Sequence, residues 1–213
     1  MGLMSMEIEY KEEPFFHIVI NDAFSKNDLL IIKEEIKTLK SLSDIDTLQA
    51  ADHLGNSFKK GKGIFLVDYE KYENLKMISK IDNIIRKINN IKIWKNKTLY
   101  RFYNSVSWGS ELLNCYNNEE YYLPHSDDGV FTLISFFYDS FEEKKGGDLY
   151  FPEYDYLHVC KHNQSILFLS KELHGATLYM TEGESNRYSM VTFSELEENT
   201  KNNHRKIKNL NYD

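Results

Sequence analysis

Residues 124–129 read Pro124-His125-Ser126-Asp127-Asp128-Gly129, and this stretch decides the fold and the site that we expect. Side chains two positions apart in an extended segment point to the same side, so His125 and Asp127 face one way while Ser126 faces the other. Asp128 and Gly129 favour a turn into the next strand. The stretch therefore predicts a pair of metal ligands near a strand end, although an isolated pair of this kind is often only a pair of surface residues.

A second histidine, His174, follows an apolar run at residues 166–169, where a later strand can cross beside the first. The next residues, Gly175 and Ala176, are small and leave room for ligands. Two histidines and one carboxylate on one face of an ion leave the opposite face open, as in non-haem Fe(II) sites that activate oxygen. His125, Asp127 and His174 are therefore candidate iron ligands. The same three residue types also bind Zn(II), so zinc stays open as the alternative metal.

Arg187 follows His174 after a turn at residues 181–186. In a strand over residues 187–194, Arg187 and Ser189 face the same way. An arginine that points into an apolar barrel needs an anionic partner, because an unpaired buried charge is very costly. A dicarboxylate co-substrate held by bidentate hydrogen bonds would be such a partner. The alternative is a surface arginine in a salt bridge.

The second half of the chain consists of short aromatic and β-branched runs separated by turn signals, which is typical of a sandwich or barrel. We expect a mainly β fold with flanking helices, in which residues 98–195 form a double-stranded β-helix, that is, a jelly roll of the cupin type. The pattern predicts strands at residues 98–104, 111–116, 131–138, 148–151, 157–160, 165–169, 174–180 and 187–194.

The first half of the chain predicts a support for this core, with strands at residues 15–20 and 63–67. Ser25 is placed to cap a helix with an apolar stripe, and residues 72–88 have the spacing of a second amphipathic helix. We expect one domain over residues 1–213. Its parts are an N-terminal strand and supporting helices at 15–95, the catalytic core at 98–195 and a polar C-terminal tail at 197–213.

The composition limits the class of protein. Aromatic residues make up 14% of the chain and hydrophobic residues 41%, which argues against disorder. The formal net charge of −7 makes the chain a poor general binder of phosphate backbones, so we expect no nucleic-acid partner. Its two cysteines, Cys115 and Cys160, form neither a CxxC pair nor a disulfide framework. Without a signal peptide or a long apolar run, we expect a cytoplasmic protein with no membrane span.

The joint order of these motifs resembles the prolyl 4-hydroxylase-like branch of the Fe(II)- and 2-oxoglutarate-dependent dioxygenases. Tyr116, Tyr122, His125 and Asp127 fall at the offsets of that family. Residues 146–152 look like its double-glycine turn, and residues 174–189 look like its closing segment. The resemblance is strong over residues 98–195 and loose over residues 15–95.

The resemblance implies roles for the candidate residues. His125, Asp127 and His174 would ligate Fe(II). Arg187, helped by Ser189, would bind the distal carboxylate of 2-oxoglutarate, and Tyr116 would line the co-substrate pocket. The three ligands and Arg187 would then be the catalytic residues. Ascorbate is a further cofactor that the resemblance suggests.

Two features depart from the family pattern. Glu119 stands where the family usually has glycine, which leaves the shape of that loop open. The position where some relatives place a co-substrate tyrosine holds Phe136 or Tyr138, depending on the strand register. A separate group, His158, Cys160 and His162, has metal-ligand spacing on a strand, but exposed polar residues of an edge strand are the favoured interpretation.

The expected function is hydroxylation of a peptidyl residue, with proline as the leading candidate. One alternative is a hydroxylase of a free amino acid or another small molecule. Another is a non-catalytic jelly-roll binding module with a vestigial metal site. The partner is therefore a protein, a peptide or a small molecule, and the sequence carries no readable signal for its identity or for the oligomeric state.

Overall fold

The structure is a computed structural model that describes residues 6–41, 58–66, 75–139, 144–182 and 185–196. Outside these ranges lie the predicted tail at 197–213, residues 72–74 of the second predicted helix, Val67 of the predicted strand and residues 42–57 before β3. The helices are α1 (Lys26–Ser41), α2 (Lys76–Asn89) and α3 (Thr98–Asn104). The strands are β1 (Glu7–Lys11), β2 (His17–Asn21), β3 (Lys59–Lys60), β4 (Lys62–Phe65), β5 (Val106–Tyr116), β6 (Glu120–His125), β7 (Phe131–Tyr138), β8 (Lys145–Gly146), β9 (Leu149–Phe151), β10 (Tyr156–His158), β11 (Gln164–Leu169), β12 (His174–Met180) and β13 (Arg187–Leu196).

These strands form two antiparallel sheets in the described part of the chain. The larger sheet has the order β1-β2-β11-β7-β13-β5-β4, and the smaller has the order β10-β9-β12-β6-β3, with β8 beside β12. From β5 onwards the chain alternates between the sheets, except that the short consecutive strands β8, β9 and β10 all belong to the smaller sheet. The predicted double-stranded β-helix is therefore confirmed.

The helices cover the outer face of the larger sheet. All eight residues of β7 are buried because one face of the strand lies against the helices and the other faces the smaller sheet. The buried stripe of α2 consists of Met77, Ile78, Ile81, Ile84, Ile85 and Ile88. The Glu35 carboxylate of α1 accepts hydrogen bonds from the Lys76 and Met77 backbone N–H groups, which ties the start of α2 to α1. No helix within the described ranges is long and apolar enough to cross a membrane.

The predicted strand at residues 98–104 is wrong, because these residues form α3. Tyr100 and Tyr103, three positions apart, share one helical face and pack their rings against Trp94 at 5.4 and 4.9 Å between centroids. The Tyr103 hydroxyl donates to the Ile85 carbonyl at 2.8 Å. Packing on α2 thus overrides the β preference of aromatic residues. The strand that completes the jelly roll is β6, which the sequence pattern missed.

Candidate metal centre and the adjoining cavity

The pairing of β6 with β12 builds the metal centre. The two strands place His125 directly opposite His174, and Asp127 follows the end of β6. His125 Nε2 lies 3.6 Å from Asp127 Oδ1, and His174 Nε2 lies 3.4 Å from Asp127 Oδ2. The three ligand atoms lie within 4.8 Å of one another. Bonds of about 2.1 Å place neighbouring ligands of a six-coordinate ion about 3 Å apart, so the arrangement fits one small cation.

Backbone carbonyls fix both imidazoles. His125 Nδ1 lies 3.0 Å from the Leu123 carbonyl oxygen, and His174 Nδ1 lies 2.9 Å from that of Glu172. A carbonyl can only accept, so each Nδ1 carries the proton and each Nε2 presents its lone pair to the centre. Burial, together with the neighbouring His174, lowers the pKa of His125 to about 4. That imidazole is therefore neutral, as a ligand must be, at physiological pH.

A buried hydroxyl holds the carboxylate. Thr132 Oγ1 on β7 donates to Asp127 Oδ2 at 2.7 Å and lies 3.0 Å from Ser170 Oγ. The Asp127 backbone N–H donates to the Ser170 carbonyl at 2.9 Å. Strand β7 and the turn that follows β11 thus orient a ligand that itself lies outside any strand. Sequence reasoning missed Thr132, because nothing in the local pattern relates it to Asp127.

Aromatic rings and one close backbone approach enclose the histidines. Tyr122 stacks on His125 with 3.7 Å between ring centroids, and Phe168 meets His174 edge-on at 4.8 Å. A Cβ atom on Gly175 would lie 2.7 Å from the Tyr122 carbonyl oxygen. The small residue after His174 therefore lets β6 and β12 approach each other. Gly175 and Ala176 also line the cavity beside the triad, in keeping with the expectation that small residues leave room for ligands.

A cavity of about 460 Å³ opens beside the triad, a size within the usual range of small-ligand sites. It extends between the two sheets to Arg187. The cavity is lined by the triad and, among others, by Lys59, Asn114, Tyr116, Tyr122, Ile134, Leu149, Ala176, Arg187, Ser189, Val191 and Phe193. Arg187, Ser189, Val191 and Phe193 share the inward face of β13, as alternation along the strand predicts.

Arg187 is a buried cation that suits an anionic ligand. Only 2% of the residue's surface is exposed, so the alternative of a surface salt bridge is wrong. Within the described residues, Nε and Nη1 have no hydrogen-bond partner. The guanidinium carbon lies 4.7 Å from the Tyr116 ring centroid and 5.3 Å from that of Phe136. Two unsatisfied donors on a buried charge are costly, and a carboxylate with two acceptor oxygens would satisfy them.

The double-glycine turn makes room for this arginine. Gly146 and Gly147 have φ angles of +68° and +67°, in the left-handed region that favours glycine. A Cβ atom on Gly147 would lie 2.9 Å from Arg187 Cδ and 2.9 Å from Tyr179 Cδ2. The turn thus shapes the Arg187 end of the cavity through its backbone rather than through a side chain.

The strand register settles the positions of Phe136 and Tyr138. Tyr138 pairs with Arg187, and Phe136 pairs with Ser189, across β7 and β13. The Phe136 ring contacts the guanidinium, while burial raises the pKa of the Tyr138 phenol well above its ordinary value. Both side chains are buried next to Arg187, on the same face of β7.

Glu119 retains the backbone shape that glycine would favour. Its φ angle is +62°, and its backbone N–H donates to the Tyr179 carbonyl at 2.8 Å. The turn between β5 and β6 therefore keeps a left-handed residue despite the side chain, which is exposed.

The structure separates the other metal-like group. His158 Nε2 lies 2.9 Å from Gln164 Oε1, and His162 Nδ1 accepts from the Tyr138 backbone N–H at 3.1 Å. Among the described residues, the ligand group that could hold an ion is His125, Asp127 and His174. His158 and Cys160 are also buried, so the expected exposed edge strand is wrong for them.

Sequence reasoning also missed Lys59. Lys59 is 7% exposed, and its ammonium reaches across the cavity to donate a hydrogen bond to Asn114 Oδ1. A Lys59-Lys60 pair in a polar segment has the pattern of solvated residues. Only the pairing of β3 with β6 turns Lys59 inward.

Comparison with known proteins locates the chain by its fold. No protein-family model and no curated protein sequence matches it. Solved structures do match. A prolyl hydroxylase from Trichoplax adhaerens, in complex with a hypoxia-inducible factor peptide fragment, superposes with a TM-score of 0.64 at 13% identity, over 85% of this chain and 84% of that chain.

Two further structures give the same result. A Pseudomonas putida prolyl 4-hydroxylase has a TM-score of 0.58 at 11% identity, over 84% of this chain and 92% of that one. The viral collagen prolyl hydroxylase of Paramecium bursaria Chlorella virus-1, in complex with 2-oxoglutarate, has a TM-score of 0.55 at 14% identity, over 85% and 98%. The chain therefore has the fold of the prolyl hydroxylases, and the predicted resemblance is confirmed at that level.

Proposed function

We propose that this protein is an Fe(II)- and 2-oxoglutarate-dependent dioxygenase that hydroxylates a peptidyl residue, with proline as the leading candidate. The observation that carries the proposal is a His125–Asp127–His174 triad at one end of a cavity whose other end is formed by the buried, unsatisfied Arg187. A metal site alone would not require that cation. A co-substrate with a chelating 2-oxo acid end and a distal carboxylate requires both.

The donor set together with the buried Arg187 at the far end of the cavity favours iron over the zinc alternative. Two imidazoles and one carboxylate form the facial triad of non-haem Fe(II) oxygenases, which leaves coordination positions open. Bound iron would activate oxygen, and 2-oxoglutarate would supply electrons for that activation. The solved structures of similar fold are prolyl hydroxylases, and two of them hold 2-oxoglutarate or a peptide fragment.

The chain's own residues would bind, orient and exclude water. Nε2 of His125 and of His174 and the Thr132-oriented carboxylate of Asp127 would hold the metal. Arg187 and Ser189 would hold the distal carboxylate, with Tyr116 packed on the guanidinium. The apolar wall, which includes Ile134, Leu149 and Val191, would keep water from the reacting carbon. Ascorbate enters the proposal through the resemblance of the sequence alone.

The test couples co-substrate turnover to substrate oxidation. With Fe(II), oxygen and 2-oxoglutarate, the protein should form succinate, and His174→Ala should abolish this. His162→Ala, an exposed histidine outside the triad, is the matched control. Succinate formation that survives His174→Ala would remove the triad from the reaction.

Mass spectrometry identifies the substrate. A gain of one oxygen on proline-containing peptides would support the proposal. A gain on free amino acids alone would favour the small-molecule hydroxylase. Binding of peptides without any oxidation, in an iron-loaded protein, would favour the non-catalytic module.

A further inference from the structure

Lys59 lies between the two ends of the cavity. Its strand, β3, pairs with β6 so that Lys59 is opposite Tyr122. The ammonium lies 5.4 Å from the centroid of the Tyr122 ring, which stacks on His125. It also lies 5.8 Å from the centroid of the Tyr116 ring, whose other neighbour is the Arg187 guanidinium. A second cation thus stands on the cavity wall between the triad and Arg187.

The position of this ammonium is built into the fold. Asn114 Oδ1 on β5 accepts its hydrogen bond, and Asn114 Nδ2 lies 3.4 Å from Ser189 Oγ on β13. A Cβ atom on Gly63 would lie 2.9 Å from Asn114 Oδ1 and 3.0 Å from Lys59 Nζ. Both sheets and one glycine therefore hold the Lys59–Asn114 pair, as is typical of a binding group and unusual for a solvated lysine.

We propose, on the basis of the proposed function, that Lys59 is a second co-substrate-binding cation, whose ammonium binds the carboxylate at the 2-oxo end of 2-oxoglutarate. Arg187 presents a planar fork suited to one carboxylate, and a dicarboxylate brings a second one towards the triad. The Lys59 ammonium faces the Tyr122 ring that stacks on His125, which places it on the triad side of the cavity.

Charge supports the same assignment. Burial, together with the nearby Arg187, lowers the pKa of Lys59 to about 8, so the empty cavity disfavours two cations at once. A dianion that lies between them relieves this repulsion at both ends. An anionic group of the substrate is the competing occupant. That alternative predicts equal affinities for 2-oxoglutarate in the wild type and in Lys59→Gln.

The experiment is calorimetric titration of the Fe(II)-loaded protein under anaerobic conditions. The variants are Lys59→Met, Lys59→Gln, Arg187→Met and the control Lys60→Met, whose exposed side chain belongs to the same strand. The probes are 2-oxoglutarate and 2-oxopentanoate, which keeps the 2-oxo acid end and lacks the distal carboxylate. Circular dichroism confirms that each variant is folded, and Lys59→Gln serves if Lys59→Met is not.

The two probes separate the roles of the two cations. Removal of the Lys59 charge should weaken the binding of both probes by the same factor, about 10- to 100-fold. Arg187→Met should weaken the binding of 2-oxoglutarate only. Equal affinities in wild type and Lys59→Gln would overturn the inference. A loss confined to 2-oxoglutarate would also overturn it, because Lys59 would then assist Arg187. If the wild type itself shows no iron-dependent binding of 2-oxoglutarate, the proposed function fails and the inference fails with it.

Discussion

Thr132→Val should weaken metal binding by a predictable amount. The substitution replaces one hydroxyl by a methyl group of similar shape, at a residue that is 0% exposed. It removes the hydrogen bond that Asp127 Oδ2 accepts from the Thr132 hydroxyl at 2.7 Å. The backbone bond between Asp127 and the Ser170 carbonyl remains, so the loop should keep its path.

The magnitude follows from the lost contact. A hydrogen bond to a charged group contributes about 1.5–3 kcal/mol, and about 1.4 kcal/mol corresponds to a factor of ten. The affinity for Fe(II) should therefore fall about 10- to 100-fold, the range found when groups that orient metal ligands are removed. The carboxylate would retain its charge but lose its fixed orientation.

Thr192→Val is the matched control. Thr192 is also 0% exposed, lies on the adjacent strand β13 and pairs with Leu133, the neighbour of Thr132. Among the described residues its hydroxyl has no hydrogen-bond partner. The control should leave metal affinity unchanged and should not reduce the free energy of unfolding, because it removes an unsatisfied polar group.

The assay is competition for Fe(II) against a chelating dye under anaerobic conditions, with urea unfolding of the metal-free proteins in parallel. The reasoning is refuted if Thr132→Val and wild type bind Fe(II) with affinities within twofold of each other. It is also refuted if Thr192→Val weakens binding as much as Thr132→Val.

Three other changes test the part of the cavity around Arg187 and Lys59. Arg187→Met should stabilise the ligand-free protein by about 1–4 kcal/mol, because it removes a buried charge with two unsatisfied donors, and thermal melts would show a lower midpoint if that is wrong. Gly147→Ala should lower the free energy of unfolding by at least about 2 kcal/mol and weaken 2-oxoglutarate binding, since its φ of +67° and a 2.9 Å contact with Arg187 Cδ both oppose a side chain. Lys59 should also make stability depend on pH. Its pKa of about 8 in the folded protein lies below the ordinary 10.5, so between these values the unfolded chain binds more protons than the folded chain. The free energy of unfolding should therefore rise with pH in this range, by up to about 3 kcal/mol. Urea melts from pH 7 to 10 should show this rise relative to Lys59→Met, and parallel curves for the two proteins would contradict it.

The features that the sequence predicts are those with a local or periodic pattern. Alternation along β13 correctly predicted that Arg187 and Ser189 face inward. The prediction that His125 and Asp127 face the same way needed only an extended backbone. The amphipathic stripe of α2 is likewise a period that can be read directly. Each of these depends on neighbours within a few positions in the chain.

The features that the sequence pattern missed depend on contacts between elements that are distant in the chain. Residues 98–104 have the aromatic content of a strand, and only packing on α2 makes them a helix. Thr132 and Lys59 look like an ordinary strand residue and a solvated lysine until the two sheets face each other. A short-range pattern carries no information about such partners, because the partner lies on another strand.

With a metal bound as proposed, the opposition of His125 and His174 across β6 and β12 would also make the stability of the fold depend on metal supply. These strands are separated in the chain by β7 to β11, so they pair only through slow, non-local closure of the jelly roll. An ion that binds only the closed form, at 100 times its dissociation constant, would add about 2.7 kcal/mol to the free energy of unfolding. Newly synthesised chains would gain that protection only after closure. The metal-free protein would then be more open to proteolysis than the metal-bound protein.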